Sequence, residues 1–261
     1  MSVDGLEIVA GEGVLRLEIR RPERANALSV PMLAAMAEAL RRPPDDARVA
    51  LVCSEGTKVF SAGADLSMMS SGATGLGAAA AHRARGAMRE AMTAILESPL
   101  LVVAKVQGTC LAGAVGIVLA CDLVVCAETA EWGLPEIERG LWPFMVSVLL
   151  LRHAGSKAAM DWMSTGRRFG AAEAARAGLV SRLVAAEALD GEVEALLGEL
   201  AGKAPLALAS GKAAARAALE MPIGPALAAM QAQLSLLVTS DDAAEGIAAF
   251  AERRAPVWHG R

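Results

Sequence analysis

Residues 108–122 read GTCLAGAVGIVLACD. No residue before Asp122 carries a charge, and glycine stands at 108, 113 and 116. Three readings compete for such a stretch: a buried core segment, part of a membrane span, or a backbone device that holds a ligand. The flanks narrow the choice. LLVVAKV at 100–106 and DLVVCAE at 122–128 are apolar runs of strand length. The stretch between them therefore reads as a strand end, a glycine turn and the first turns of a buried helix.

Composition bears on the membrane reading. The chain has 261 residues, 54% hydrophobic, with a mean hydropathy of +0.42. Alanine supplies much of this, which points to helix and close packing rather than lipid. A spanning helix needs roughly 20 apolar residues. The longest candidate, Val106 to Ala127, contains Asp122, and an Asp at mid-membrane costs about 2.5–3.5 kcal/mol. The first residues, MSVDGLEIVAGEGVLRLEIRRPER, carry no basic-then-apolar leader pattern. A cytoplasmic protein is expected, with neither membrane nor nucleic acid as partner, since net charge is −4 and the pI about 5.5. Cys53, Cys110, Cys121 and Cys126 form no C-x-x-C pair and sit in apolar runs, as reduced core thiols do. No nucleophile elbow, phosphate-binding loop, zinc-helix motif or dinucleotide fingerprint is present.

Outward from the opening stretch, strands and helices alternate through the first half. Residues 6–10 and 13–20 alternate apolar and polar as half-buried strands do. Ser29 and Pro31 open a helix, ARVALVCSEG is a short buried strand, and a helix is expected over 81–97. TAEWGLPEIERGLWPF reads as a loop. From residue 144 nearly everything reads helical: 144–153, 156–164, 171–176, 187–201, 205–220, 224–238 and 241–251. This order predicts an α/β fold with a helical C-terminal region.

Two loops share one design. Phe60-Ser61-Ala62-Gly63-Ala64-Asp65-Leu66 and Gly108 to Gly116 each follow an apolar strand, contain glycine and open a helix. Small residues let a ligand approach the backbone, and the first N–H groups of a helix lack intrahelical partners. Such groups can hold negative charge developing on an oxygen; close helix–strand packing would leave the same pattern. The third feature is Glu136 in WGLPEIERG, between apolar neighbours that would raise its pKa and suit proton transfer. An exposed loop glutamate is the alternative.

With these residues the chain resembles the enoyl-CoA hydratase/isomerase (crotonase) family. The resemblance runs through RPERANALS, VFSAGADL, VQGTCLAGAVGIVLACDLVVCAETAEWGLPEIERGL, STGRRFGAAEAARAGLVSRLV and the tail FAERRAPVWHGR. It implies a spiral of ββα units over 1–195 and a C-terminal helical trimerisation region over 196–261, assembled as a homotrimer or homohexamer. It implies an acyl-CoA thioester as substrate, coenzyme A being part of that substrate and no other cofactor or metal being used. The backbone N–H groups of Ala64 and Gly113 match the oxyanion-hole donors, and Glu136 matches a catalytic carboxylate. Ala62, Ala64, Asp65, Leu66 and Ser67 would lie along CoA, with Arg24, Ala25, Ala27 and Leu28 near its nucleotide end. Gly140 and Trp142 would line the reaction pocket.

The chain departs from the family pattern at Gly116, where two-carboxylate hydratases carry a second glutamate, and at Trp142-Pro143-Phe144-Met145, where a glycine-rich stretch is common. The first change favours isomerisation of a 3-enoyl to a 2-enoyl thioester over hydration, since losing one acid–base group costs about 10²–10⁴-fold. One-carboxylate hydration, decarboxylation and a non-catalytic acyl-CoA binder are the alternatives. The second change should make the pocket bulkier and more apolar. His82 is read as a surface histidine beside the pocket, Asp65 as a helix cap, and Arg253 and Arg254 as solvated charges.

Overall fold

The computed structural model describes residues 2–65 and 78–260. The chain enters through β1 (Ser2–Val3), β2 (Leu6–Gly11) and β3 (Val14–Ile19). Gly11 faces Val14, and Glu12 and Gly13 between them have φ of 52° and 77°. Two consecutive positive φ values make the tight hairpin turn whose twist matches its strands. Helix α1 (Val30–Arg41) starts where the sequence puts it, Ser29 accepting from the Met32 N–H at 3.5 Å. It buries Met32, Leu33, Met36 and Leu40 on one face.

Three units of one kind follow. β4 (Val49–Ser54), β5 (Val59–Ser61) and α2 (Ala78–Glu97) make the first; β6 (Leu101–Val106), β7 (Thr109–Leu111) and α3 (Gly113–Ala120) the second. β8 (Leu123–Ala127), β9 (Glu131–Gly133) and α4 (Phe144–His153) make the third. In each, the first strand joins a large sheet and the second a small one. The large sheet has the order β1-β2-β3-β4-β6-β8-β11, parallel from β3 onward, with β11 at Arg182–Val184. The small sheet has the order β10-β9-β7-β5, with β10 at Arg168–Gly170. This is the expected α/β spiral of ββα units.

The short strands depart from the sequence reading. β5, β7 and β9 lie where loops were expected, and β10 and β11 occupy gaps between the expected helices. Each has three residues, too few for a period-two pattern to show, and they form because partners are already in place. Phe169, for instance, pairs with Trp132 and stacks on Trp162 at 4.0 Å.

The main core lies between the two sheets and the helices and is filled by residues such as Phe60, Trp132, Trp162, Leu17 and Met36. The far face of the large sheet is covered by α7 (Leu189–Ala201), whose Leu189, Val193, Leu196, Leu197 and Leu200 pack on Val49, Leu51, Val103 and Val125. Parallel strands require cover on both faces. The boundary expected at residue 195 falls inside this helix.

The rest of the chain is helical: α5 (Ser156–Thr165), α6 (Ala171–Arg176), α8 (Pro205–Ala218), α9 (Ile223–Leu237) and α10 (Asp241–Glu252). Helix α8 is tied to the core by charge. Lys212 meets Asp122 at 2.7 Å and donates to the carbonyls of Ile95 and Leu100, each at 2.9 Å. Arg216 donates to the other Asp122 oxygen at 2.7 Å and to the Ala120 carbonyl at 3.2 Å. Among the described residues no single helix is long and apolar enough to cross a membrane. The stretch that raised that question contains a helix of eight residues, all but Gly113 buried.

Candidate active site

Strands β5, β7 and β9 are neighbours and parallel, so their C-terminal ends share one edge of the small sheet. Ala64 follows the end of β5 by three residues, Gly113 the end of β7 by two, and Glu136 the end of β9 by three. Topology thus gathers three loops that lie far apart in sequence. They open onto a cavity of about 780 Å³.

The Ala64 N–H is aimed by a parallel bridge. The Leu28 N–H donates to the Gly63 carbonyl at 2.8 Å and the Asp65 N–H donates to the Leu28 carbonyl at 2.9 Å. Both bonds of that bridge use the neighbours of Ala64, so its own N–H points the other way, toward the second loop. A Cβ placed on Gly113 would lie 3.6 Å from the Ala64 nitrogen. Gly113 is the first residue of α3, where an N–H has no intrahelical partner and the helix end carries partial positive charge. The loops also touch at Gly63 (φ +92°), where a Cβ would sit 2.8 Å from the Leu111 oxygen and 3.0 Å from the Gly113 nitrogen. Gly108 lets the second loop pass the first, since a Cβ there would lie 2.3 Å from the Lys58 oxygen.

Ala112, just before Gly113, has φ 53° and ψ −130°, a conformation costly for any residue with a Cβ. Its N–H donates to the Gly133 carbonyl at 2.9 Å, which fixes the loop to β9. Because alanine is strained here, Ala112→Gly is expected to raise stability by about 1 kcal/mol. A higher urea midpoint with unchanged slope would show it.

A buried polar latch holds the first loop. Asn26 (φ 53°) accepts from the Arg21 N–H at 2.9 Å and donates from its side chain to the Glu55 and Val59 carbonyls, each at 3.0 Å. The Ser61 hydroxyl donates to the Asn26 carbonyl at 2.8 Å and accepts from the Gly63 N–H at 3.1 Å. The sequence reading missed both residues, although a polar Asn inside RPERANALS was a visible signal. Asp65 accepts from Arg21 at 3.3 Å, which ties the first loop to the segment that follows β3; the helix it was expected to cap lies outside the described residues.

Glu136 lies in a 3₁₀ turn, Pro135–Arg139, closed by Gly140 (φ 68°). One of its carboxylate oxygens is buried without a hydrogen-bond partner among the described residues. Burial raises its pKa, opposed by its own backbone N–H and by Arg139. An orphaned buried carboxylate oxygen stands ready for a proton from a ligand.

The cavity wall includes Ala64, Gly113, Glu136, Gly140 and Trp142, together with Arg24, Ala27, Ala62 and Asp65. Two expected contacts do not reach it. Leu28 is fully buried and acts through its backbone bridge, and Ala25 serves through its carbonyl, which accepts from the Ala62 N–H at 2.9 Å. Leu66 and Ser67 lie outside the described residues. Trp142, Pro143, Phe144 and Met145 all line the cavity, as expected for a bulkier wall. Met88 of α2 lines it too, in keeping with a reading of the chain's methionines as core or pocket lining; Arg85 lines it and was not assigned to it from sequence. His82 is exposed, and Arg254 pairs with Glu245 and Glu252.

At Gly116 the geometry is apolar. A Cβ there would meet the Met92 side chain at 3.1 Å and Val146 at 3.2 Å. Glu136 and Asp65 are the carboxylates in the cavity wall. Among the described residues no cluster of metal-ligating side chains is present.

The arrangement offers two backbone donors to one oxygen and a carboxylate able to move a proton nearby. The model of the enoyl-CoA hydratase/isomerase family matches residues 10–261. A carnitinyl-CoA dehydratase of Salmonella typhi is 36% identical, the match covering 99% of both chains. A solved enoyl-CoA hydratase of Mycobacterium smegmatis superposes with a TM-score of 0.90 at 34% identity, covering 98% of this chain and 99% of that one. The human enoyl-CoA hydratase domain-containing protein 3 gives 0.91 at 26% identity, covering 97% and 100%. With the family model matched over nearly its whole length and the ββα spiral in place, the chain is an enzyme of the enoyl-CoA hydratase/isomerase family.

Proposed function

We propose that the protein hydrates an enoyl-CoA thioester or dehydrates the corresponding 3-hydroxyacyl thioester, with Glu136 as its single acid–base group. One observation carries this: the orphaned Glu136 oxygen shares a cavity with the Ala64 and Gly113 N–H groups. In dehydration Glu136 takes the C2 proton and the electron pair moves onto the thioester oxygen, which the two N–H groups hold. The C3–O bond then breaks, the C2–C3 double bond forms, and Glu136 returns its proton to the departing hydroxide as water. One carboxylate serves both halves because the proton it removes is the proton it delivers. Each oxyanion donor is worth about 10²–10³ in rate. The full-length match to a dehydratase supports this direction.

Isomerisation is the second reading, favoured by the apolar filling at Gly116. There Glu136 would take a proton from C2 of a 3-enoyl thioester and return one to C4. The two are separated by assaying 2-enoyl-CoA, 3-hydroxyacyl-CoA and 3-enoyl-CoA side by side. Turnover of 3-enoyl-CoA alone would overturn hydration. Glu136-dependent turnover of any of them would exclude a non-catalytic binder.

The expected homotrimer has support in the exposed apolar side chains of the C-terminal helices. Leu219, Ile223 and Phe250 are 83%, 80% and 88% exposed, more than a monomer's surface usually shows in one region. Analytical ultracentrifugation is expected to give three or six times the chain mass of 26.8 kDa. A monomer at micromolar concentration would remove this proposal.

A further inference from the structure

Arg85, Met88 and Met92 of α2 stand at spacings that share one helix face. Met88 is the nearest atom group to a Cβ built on Gly113, at 2.8 Å, and Met92 to one built on Gly116, at 3.1 Å. The stripe therefore runs alongside α3. Arg85 lies one turn before Met88, about 4.5 Å further along the helix axis, and lines the same cavity as Gly113.

This guanidinium has no hydrogen-bond or ion-pair partner among the described residues, whereas two other charges of the wall have one. Asp65 is paired with Arg21, and Arg139 donates to the Pro135 carbonyl at 3.2 Å beside Glu136. The cavity wall also carries the bulky apolar side chains of Met88, Trp142, Phe144 and Met145. Arg24, the other unpaired cation, belongs to a different edge, the Pro22–Arg24 turn next to Ala27 and Ala62. An arginine cannot shed its charge at physiological pH, and it binds carboxylates through two parallel bonds. A fixed cation without a partner, among apolar side chains, selects an anion and rejects a cation.

We propose that Arg85 is a specificity residue that binds a carboxylate on the far end of the acyl group. The preferred substrates are then CoA monothioesters of dicarboxylic acids, and acyl groups ending in a quaternary ammonium are disfavoured. The proposal rests on the acyl-CoA reading above and names the acyl class for that site. A guanidinium there could instead meet a phosphate of CoA, so the test must separate the two anions.

Isothermal titration calorimetry with 4-carboxybutanoyl-CoA, hexanoyl-CoA and free CoA does so, on the full chain and its Arg85→Met and Arg85→Lys variants. The Kd of the carboxylated thioester relative to hexanoyl-CoA is expected to rise at least tenfold in Arg85→Met, from loss of about one charge-assisted bond pair. Arg85→Lys should recover part of it. An unchanged ratio overturns the assignment, and so does equal weakening of all three ligands, which would mark a phosphate contact. Hexanoyl-CoA binding with an unmoved ratio defeats Arg85 alone. If neither thioester binds, the acyl-CoA reading fails with it.

Discussion

Glu136→Gln is expected to lower kcat/KM by about 10²–10⁴ while leaving acyl-CoA affinity nearly as it was. The substitution keeps the shape of a side chain whose turn is set by Pro135 and Gly140 and removes only its ability to exchange a proton. Stopped-flow turnover with calorimetric Kd values separates the two effects, and wild-type turnover in the Gln variant would end the assignment. The pH dependence has a definite sign. Burial raises the Glu136 pKa, and the group must be ionised to accept a proton. Activity should therefore fall with acid through a limb placed above the usual carboxylate range. Stability moves the opposite way. The folded chain holds this proton more tightly than the unfolded chain, so stability falls as pH rises from the unfolded pKa through the folded one. Above that window Glu136→Gln should melt higher than the parent, because the penalty of burying the charge is gone.

Gly63→Ala is expected to cost at least about 10² in kcat/KM together with a lower melting temperature. The added Cβ would sit 2.8 Å from the Leu111 oxygen, 2.9 Å from the Ala112 Cβ and 3.0 Å from the Gly113 nitrogen. Two of these are backbone atoms that cannot swing aside, so the two loops must part and their N–H groups no longer converge. Gly56 provides the control. Its φ of +88° carries the same strain, yet a Cβ there meets nothing within 4 Å. Gly56→Ala should lose stability, about 1 kcal/mol or somewhat more, and keep its kcat/KM. Equal kinetic losses in both variants would mean that backbone strain, not loop separation, is responsible.

Much of this site could be read from local sequence, for a physical reason. Oxyanion donors of this kind need glycine or alanine after a strand and before a helix, and that requirement marks Ala64 and Gly113 in the chain. Glu136 announces itself as a charge among Trp132, Leu134 and Trp142. Helix limits were also legible, since caps such as Ser29 and the 3.6-residue period act within one turn. What sequence hid is made by distant partners. β7 and β9 have three residues each and exist through pairing, so the shared edge that brings the loops together was not visible. Nor was the filling at Gly116, which Met92 and Val146 supply from two other helices. Arg85 looked like any helical arginine until α2 was laid along α3. Leu28 erred the other way: its motif suggested a ligand contact, but the side chain is core and only the backbone serves the loop.

Asp122, the first charge after the opening apolar run, has a consequence for how the protein comes apart. Its carboxylate joins Lys212 and Arg216 of α8 to the end of α3, whose first residue supplies a donor N–H. Were α8 to detach while the sheets stayed folded, Asp122 would lose both cations, and the Ile95 and Leu100 carbonyls would lose their Lys212 donor. Peeling of the C-terminal helices is thus coupled to melting of α3, and residues 205–218 are expected to unfold in the same cooperative step as the sheets rather than ahead of them.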